Sequence, residues 1–152
     1  MAGGSFLLPL ARSVARVVGT LLTLVLVDRA RVLVVEDDPD TLAAVAETLR
    51  DEFAVWVART GEQALEVADE LGFHAHVVVV DLDLGPGMRG DQFATEYRRR
   101  AKGPTRIVVL SGVPRAYDVA KSMGAAAILP KPYNADELIR TIRILAPPDR
   151  AA

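Results

Sequence analysis

Short apolar runs rich in β-branched residues recur along the chain from Arg31 onward, and segments with apolar residues at helical spacing lie between them. Several of these runs are too uniformly apolar to have a wet face, which is typical of strands in a buried parallel sheet. The pattern predicts strands over the following ranges: Arg31–Val35, Ala54–Val57, His76–Val80, Arg106–Leu110 and Ala126–Leu129.

The segments between the apolar runs carry readable helix starts. Asp38 can cap a helix, Thr60 and Gln63 have the spacing of a capping box, and Asn134 precedes Glu137 by three positions. Five strands that alternate with five helices predict a doubly wound α/β domain, with helices on both faces of a five-stranded parallel sheet.

The first 27 residues differ from the rest, because Arg12 and Arg16 are the only charged side chains among them. The uncharged run Val17–Val27 has 11 residues, well short of the roughly 20 that a membrane-spanning helix needs. A weakly ordered leader, an amphipathic helix resting on the domain or a partner, and membrane contact remain open, with membrane contact the least favoured. We therefore divide the chain into an apolar extension at 1–29, a domain at 30–147 and a tail at 148–152.

Composition and charge remove several classes of function. The 152 residues include no cysteine, which excludes disulfides, thiolate metal sites and thiol nucleophiles. The 18 basic residues nearly balance the 20 acidic ones, so no broad nucleic-acid surface is indicated. The basic run Arg98–Arg100 is interpreted as the solvated end of a helix, where it is favourable to the helix dipole. We interpret the two histidines, His74 and His76, as structural residues at the start of a strand.

Polar residues follow the predicted strands at the points where they end. Glu36 and Asp37 follow the first strand, Asp81 the third, Ser111 the fourth and Lys131 the fifth. The carboxyl ends of parallel strands share one edge of the sheet, and ligands bind there. Carboxylates brought together at that edge would repel one another unless a cation or a proton neutralised them. Mg²⁺, which prefers oxygen ligands, suits such a cysteine-free acidic pocket.

Four segments of the chain, Val32–Pro39, Val80–Asp81, Leu110–Gly112 and Lys131–Tyr133, resemble the receiver domain of two-component response regulators. The resemblance covers roughly Ala30 to Pro147, and its order and spacing agree at four separate strand ends. It implies a flavodoxin-like fold with strand order 2-1-3-4-5.

The resemblance also implies a set of site residues. Asp81 would accept a phosphoryl group from a phosphohistidine and become an acyl phosphate. Glu36 and Asp37 would organise Mg²⁺ together with Asp81, with Asp37 a direct ligand and Glu36 acting through water. Asp83 would offer its backbone carbonyl to the metal.

Two further residues would act on the phosphoryl group itself. Lys131 would place a fixed positive charge beside the phosphoryl oxygens, and Ser111 would donate its hydroxyl to another of them. Gly112 would leave room for the group to enter, and the peptide bond before Pro132 is expected to be cis.

Two departures from the family pattern concern the loop after Asp81 and the fifth strand. Gly90 lies nine residues after Asp81, one more than is usual for the corresponding glycine in the family. Ile128 stands where the family commonly has an aromatic residue that moves inward when the Ser111-type hydroxyl engages the phosphate. We therefore predict a smaller conformational switch at Ile128.

Two alternatives to a phosphoaccepting receiver are kept. One is a receiver-like binding module that takes no phosphate. The other, less favoured, is a phosphohydrolase of the haloacid-dehalogenase type, suggested by Asp81-Leu82-Asp83. That motif would usually close the first strand of a larger domain, whereas here it closes the third.

The resemblance implies protein partners. We expect a sensor histidine kinase or a histidine phosphotransfer protein, and a downstream protein bound at the face of the fourth helix, fifth strand and fifth helix. That face should expose the following residues: Arg115, Asp118, Lys121, Arg140 and Arg143. The expectation is a stand-alone cytoplasmic signalling domain, not an enzyme and without a nucleic-acid partner, for which a homodimer stays open.

Overall fold

The computed structural model describes residues 29–72, 74–113 and 115–147, so the predicted extension up to residue 28 and the tail at 148–152 lie outside the described residues. Strands and helices alternate along the described chain. The strands are β1 (Arg31–Val35), β2 (Ala54–Ala58), β3 (Val77–Asp81), β4 (Arg106–Ser111) and β5 (Ala127–Pro130). The helices are α1 (Pro39–Arg50), α2 (Gly61–Leu71), α3 (Gly90–Arg100), α4 (Ala116–Ser122) and α5 (Ala135–Leu145). Among these described helices, none has the length and apolar character needed to cross a bilayer.

The five strands form one parallel sheet in the order β2-β1-β3-β4-β5. This confirms both the predicted α/β class and the order that the resemblance implies. Strand bounds differ from the predicted ones by a single residue at several ends. The parallel ladder continues far enough to pair Asp81 with Leu110 and Ser111 with Pro130. Asp81 and Ser111 are therefore the last residues of their strands, where pairing of the backbone holds them in place.

The central strand β3 is buried on both faces of the sheet. Because successive side chains of a strand point to opposite faces, Val77 and Val79 pack with α1 and α5, whereas Val78 and Val80 pack with α2, α3 and α4. Full burial of a valine side chain contributes about 1.5–3 kcal/mol. The two cores together fix the strand that ends at Asp81.

Three helices begin at the caps that the sequence indicates. The side chains of Asp38, Thr60 and Asn134 each accept a backbone N–H of the first helical turn. The Thr60 cap differs from the predicted box in one respect. Gln63 Oε1 accepts the backbone N–H of Arg59, 2.7 Å away, instead of that of Thr60.

The amino edge of the sheet holds both histidines beside Arg31. His76 Nδ1 accepts the backbone N–H of Arg31 at 3.0 Å, and Arg31 Nη2 lies 2.9 Å from His76 Nε2. Arg31 Nε also donates to the backbone carbonyl of His74 at 3.0 Å. Burial, followed by the charges of Arg31 and His74, lowers the pKa of His76 to about 4. Both histidines thus belong to the packing at the start of β3, as predicted.

The basic run at the end of α3 is bonded within the chain. Arg99 pairs with Glu96 at 2.7 Å. Arg98 donates to the backbone carbonyls of Met123 and Gly124, at the point where α4 ends in a left-handed turn with φ 62° at Gly124. Helix α3 therefore holds the carboxyl end of α4, whereas the amino end of α4 has no side-chain cap.

Candidate functional site

The carboxyl edge of the sheet brings together the polar residues that follow or close four strands. Glu36 follows β1, Asp81 closes β3, Ser111 closes β4 and Lys131 follows β5. Glu36, Asp81 and Ser111 are buried, with exposures of 1%, 4% and 4%. Buried polar groups need partners, so their contacts define the site.

Lys131 joins two of the buried carboxylates. Its Nζ donates to Asp81 Oδ2 at 2.6 Å and to Glu36 Oε2 at 2.9 Å. Burial lowers the pKa of Lys131, but the hydrogen bonds to Asp81 and Glu36 outweigh burial and the net pKa is raised. Burial also raises the pKa of Glu36, against the opposing hydrogen bond from Lys131. The lysine is thus a fixed positive charge at the end of β3.

Asp37 completes an acidic group at the same edge. Carboxylate oxygens of Glu36, Asp37 and Asp81 all lie within 4.8 Å of one another. Lys131 is the cation that contacts this group in the described part of the chain, so negative charge is in excess. An all-oxygen donor set with an excess of negative charge fits a hard divalent cation such as Mg²⁺.

The second oxygen of Asp81 is held by the loop that follows β3. Asp81 Oδ1 accepts the backbone N–H of Asp83 at 2.9 Å. The side chain of Asp83 is exposed. The expected role of its backbone carbonyl as a metal ligand stays a prediction.

Ser111 lies on the opposite side of Asp81 from Asp37 in the strand order. Its Oγ accepts the backbone N–H of Val113 at 3.1 Å. A Cβ built on Gly112 would meet only the Cβ of Lys131, at 4.0 Å. Alanine would therefore fit among the protein atoms at this position, and the expected role of Gly112 in leaving room for a phosphoryl group stays a prediction.

The segment after β4 and β5 carries the two remaining features that the resemblance implied. The peptide bond between Lys131 and Pro132 is cis, as predicted. Ile128 is half-buried and packs against the core beneath α2, α3 and α4. Its part in a conformational switch stays a prediction.

Three residues near the site make contacts that were not predicted from the sequence. Arg59 donates to the backbone carbonyl of Asp37, and Glu62 accepts the backbone N–H of Met88. A Cβ on Gly90 would lie 2.7 Å from the backbone oxygen of Asp81. Only the glycine could have been suspected from its spacing, because the other two contacts join residues that are distant in the sequence.

The predicted output face is exposed at Arg115, Asp118, Lys121 and Arg140. Arg143 is also exposed, but its Nη2 pairs with Glu52 Oε1 at 2.7 Å, just beyond the end of α1. This contact places Arg143 on the flank of α5 that faces α1. The expectation that it belongs with the face formed by α4, β5 and α5 is therefore wrong.

Comparison with known proteins agrees with this geometry. Residues 32–143 match the family model of the response regulator receiver domain. The chain is 36% identical over 113 residues to the sensory transduction protein RegX3 of Mycobacterium tuberculosis, which covers 74% of this chain and 48% of RegX3. It is 39% identical over 119 residues to the transcriptional regulatory protein CutR of Streptomyces coelicolor, covering 76% and 52%.

A solved structure gives the same fold. The chemotaxis protein CheY4 of Vibrio cholerae superposes with a TM-score of 0.68 at 30% identity, covering 77% of this chain and 98% of CheY4. The sheet, the site and these similarities together define a receiver domain of two-component signal transduction. The chain belongs to the response regulator receiver family. It spans about half the length of the curated relatives it matches.

Proposed function

We propose that the chain accepts a phosphoryl group on Asp81 from the phosphohistidine of a sensor kinase or phosphotransfer protein, with Mg²⁺, and signals through protein contact. The observation that carries the proposal is the position of Lys131 Nζ, within 2.9 Å of both Asp81 and Glu36, at the end of β3. Phosphoryl transfer depends mainly on positioning and on stabilising charge. Asp81 supplies the nucleophile, and Lys131 supplies the charge.

The donor set of the site suits the metal. Asp37 and Asp81 would bind Mg²⁺ directly, Glu36 would act through water, and Asp83 would add its backbone carbonyl. When bound, Mg²⁺ neutralises the carboxylates and the phosphoryl oxygens as they approach one another. This agrees with the excess of negative charge at the carboxyl edge.

The chain's own residues account for the remaining requirements of the transfer. A carboxylate oxygen of Asp81 forms a bond to phosphorus while the phosphorus–nitrogen bond of the phosphohistidine breaks, and the bonding electrons stay on the imidazole nitrogen. Lys131 stays protonated because its pKa is raised by the two carboxylates despite burial. The hydroxyl of Ser111 accepts from Val113, which leaves its hydrogen to donate to a phosphoryl oxygen.

The partner proteins follow from the same chemistry. The donor carries a phosphohistidine, and the downstream target binds the face formed by α4, β5 and α5. Arg115, Lys121 and Arg140 make this face mainly basic despite Asp118, which suits an acidic patch on the target. The cytoplasmic location, the division at residues 30–147, action without an output domain and a homodimer stay predictions.

Incubation with acetyl phosphate and Mg²⁺, followed by intact mass measurement, tests the proposal. We expect a single labile phosphoryl adduct on the wild-type chain and none on Asp81→Asn, because the amide keeps the shape of the side chain but cannot attack phosphorus. Asp51→Asn is the matched control, since it changes an exposed carboxylate at the end of α1, away from the site.

Two outcomes would contradict the proposal. A phosphoryl adduct on Asp81→Asn would move the acceptor elsewhere. A wild-type chain that takes no phosphoryl group, in a folded state and with Mg²⁺ present, would favour the receiver-like binding module. The hydrolase alternative predicts steady release of phosphate, although closure of the third strand by Asp81 argues against it.

A further inference from the structure

The junction between β2 and α2 contacts both loops that carry the candidate metal ligands. Arg59, the residue after β2, donates from Nε and Nη2 to the backbone carbonyl of Asp37 at 3.3 and 3.2 Å. Glu62, in the first turn of α2, accepts the backbone N–H of Met88 at 2.9 Å through Oε1. One junction thus bonds to the loop after β1 and to the loop after β3.

The backbone of the loop after β3 lies directly against the side chains concerned. A Cβ on Gly85 would lie 3.1 Å from Asp37 Oδ2. A Cβ on Gly87, whose φ is 120°, would lie 3.1 Å from Glu62 Oε1. The Asp37 carboxylate is therefore in close contact with the loop that Glu62 holds.

Packing and hydrogen bonds both contribute to this arrangement, because Leu84 and Met88 pack against the core beneath α2, α3 and α4. A cavity of about 440 Å³ opens between the two loops and the junction, and its lining includes Asp37, Arg59 and Met88. Side chains that border a cavity lack neighbours on one side. On the side that borders the cavity, the hydrogen bonds made by Arg59 and Glu62 are the contacts that restrain both loops.

We infer that Arg59 and Glu62 are positioning residues for the magnesium site, an inference that rests on the proposed function. Arg59 holds the backbone of the ligand Asp37, and Glu62 holds the loop that contains Asp83. Neither residue is itself a ligand. Partners that orient metal ligands from behind typically change metal affinity about 10–100-fold when removed, and we expect the lower end for these exposed contacts.

The charge of Arg59 makes the test decisive, because two explanations predict changes of opposite sign in the affinity for Mg²⁺. A guanidinium beside a cation site repels the cation, so charge alone predicts that Arg59→Ala strengthens Mg²⁺ binding. Loss of positioning predicts that it weakens binding. For Glu62, the conservative variant separates the same two effects, since Glu62→Gln keeps an acceptor oxygen but loses the charge.

The experiment is a Mg²⁺ titration followed by backbone amide chemical shifts on the full chain. We expect Arg59→Ala and Glu62→Ala to weaken Mg²⁺ binding about tenfold. Arg59→Lys should weaken it as well. Glu62→Gln should bind Mg²⁺ within about twofold of the wild type. Without metal, the Met88 amide should shift in Glu62→Ala and keep its wild-type position in Glu62→Gln.

Matched controls remove the same charges elsewhere. Arg106→Ala removes an exposed arginine at the amino edge, and Glu66→Ala removes an exposed glutamate one turn further along α2. Both should bind Mg²⁺ within about twofold of the wild type.

Three results would overturn the inference. Tighter binding in Arg59→Ala would show that Arg59 acts through its charge alone, and unchanged binding would show that it does not position Asp37. Equal loss in Glu62→Gln and Glu62→Ala would show the same for Glu62. A wild-type chain that binds no Mg²⁺ would overturn the proposed function as well, which distinguishes that failure from the other two.

Discussion

The two edges of the sheet both bring ionisable side chains together, but they leave different amounts of charge unbalanced. At the amino edge, Arg31 lies beside His74 and His76, and burial lowers the pKa of each histidine. The lowered pKa favours the neutral form of both rings. At the carboxyl edge, the carboxylates of Glu36, Asp37 and Asp81 meet the single amine of Lys131.

This difference separates a cluster that needs no ligand from the one at which we propose that a metal binds. The amino edge reaches a neutral state for its histidines without any ligand. The carboxyl edge keeps an excess of negative charge that a metal ion or a proton would relieve. Clustered groups with shifted pKa values are common at functional sites, but here the excess charge, rather than the shift itself, distinguishes the edge at which we propose metal binding.

The largest effect is expected for Lys131→Met, which removes the cation from the carboxyl edge. Glu36 and Asp81 would stay buried side by side without compensation, and breaking such a pair costs about 3 kcal/mol. Urea unfolding at pH 7 without metal measures the loss, with Lys121→Met on the exposed side of α4 as the control. Addition of Mg²⁺ should restore part of the stability. A loss of stability no larger than in Lys121→Met would contradict the view that Lys131 compensates buried negative charge at this edge.

The second prediction concerns Asp37→Asn, which removes a carboxylate without touching the lysine. Mg²⁺ binding should weaken about tenfold or more, because a direct ligand is lost. Stability without metal should stay level or rise, because repulsion within the acidic group decreases. Unfolding with and without Mg²⁺ checks both effects, and Asp51→Asn serves as an exposed control. A clear fall in metal-free stability would contradict charge crowding.

The third prediction is that lowering the pH destabilises the fold through His76 at the amino edge and stabilises it through Glu36 at the carboxyl edge. The folded pKa of His76 is about 4, below its ordinary value of about 6.5. Between these values the unfolded chain binds more protons, so stability falls as the pH falls from 6.5 to 4. Because His76 is partly exposed, we expect about 1 kcal/mol. Glu36, whose pKa is raised chiefly by burial, opposes this trend, since its protonation favours the folded state.

Unfolding at pH 7 and pH 4.5 separates the two edges. His76→Gln should lose less stability than the wild type between these pH values, whereas Glu36→Gln should lose more. If stability depends on pH in the same way in the wild type and in both variants, neither His76 nor Glu36 is the cause of that dependence.

The smallest expected effect is the response of β5 to phosphorylation. Ile128 is half-buried and has no ring to move, so a shift into space near Ser111 buries little additional area. Amide chemical shifts with and without beryllofluoride should change strongly at Asp81 and over 111–115, and weakly at Ile128 and α5. Changes of equal size at Ile128 would show that isoleucine serves the switch as well as an aromatic residue does.

The fold and the core of the site could be predicted from the sequence because their signals are local. Apolar runs mark the strands, and Asp81, Ser111 and Lys131 stand where strands end. The contacts of Arg59 with Asp37 and of Glu62 with Met88 could not be predicted, because each joins residues that are 22 or more positions apart. Arg143 was assigned to the wrong flank of α5 because its partner Glu52 lies 91 residues away.

The attachment of α4 has a mechanical consequence. Arg98 holds the carboxyl end of this short helix by donating hydrogen bonds to the backbone carbonyls of Met123 and Gly124. The other end follows Ser111 by a few residues and lacks a side-chain cap. We therefore expect α4 to be held more firmly at Gly124 than at its amino end. A displacement that begins at Ser111 should be largest at Arg115 and should decrease toward Met123.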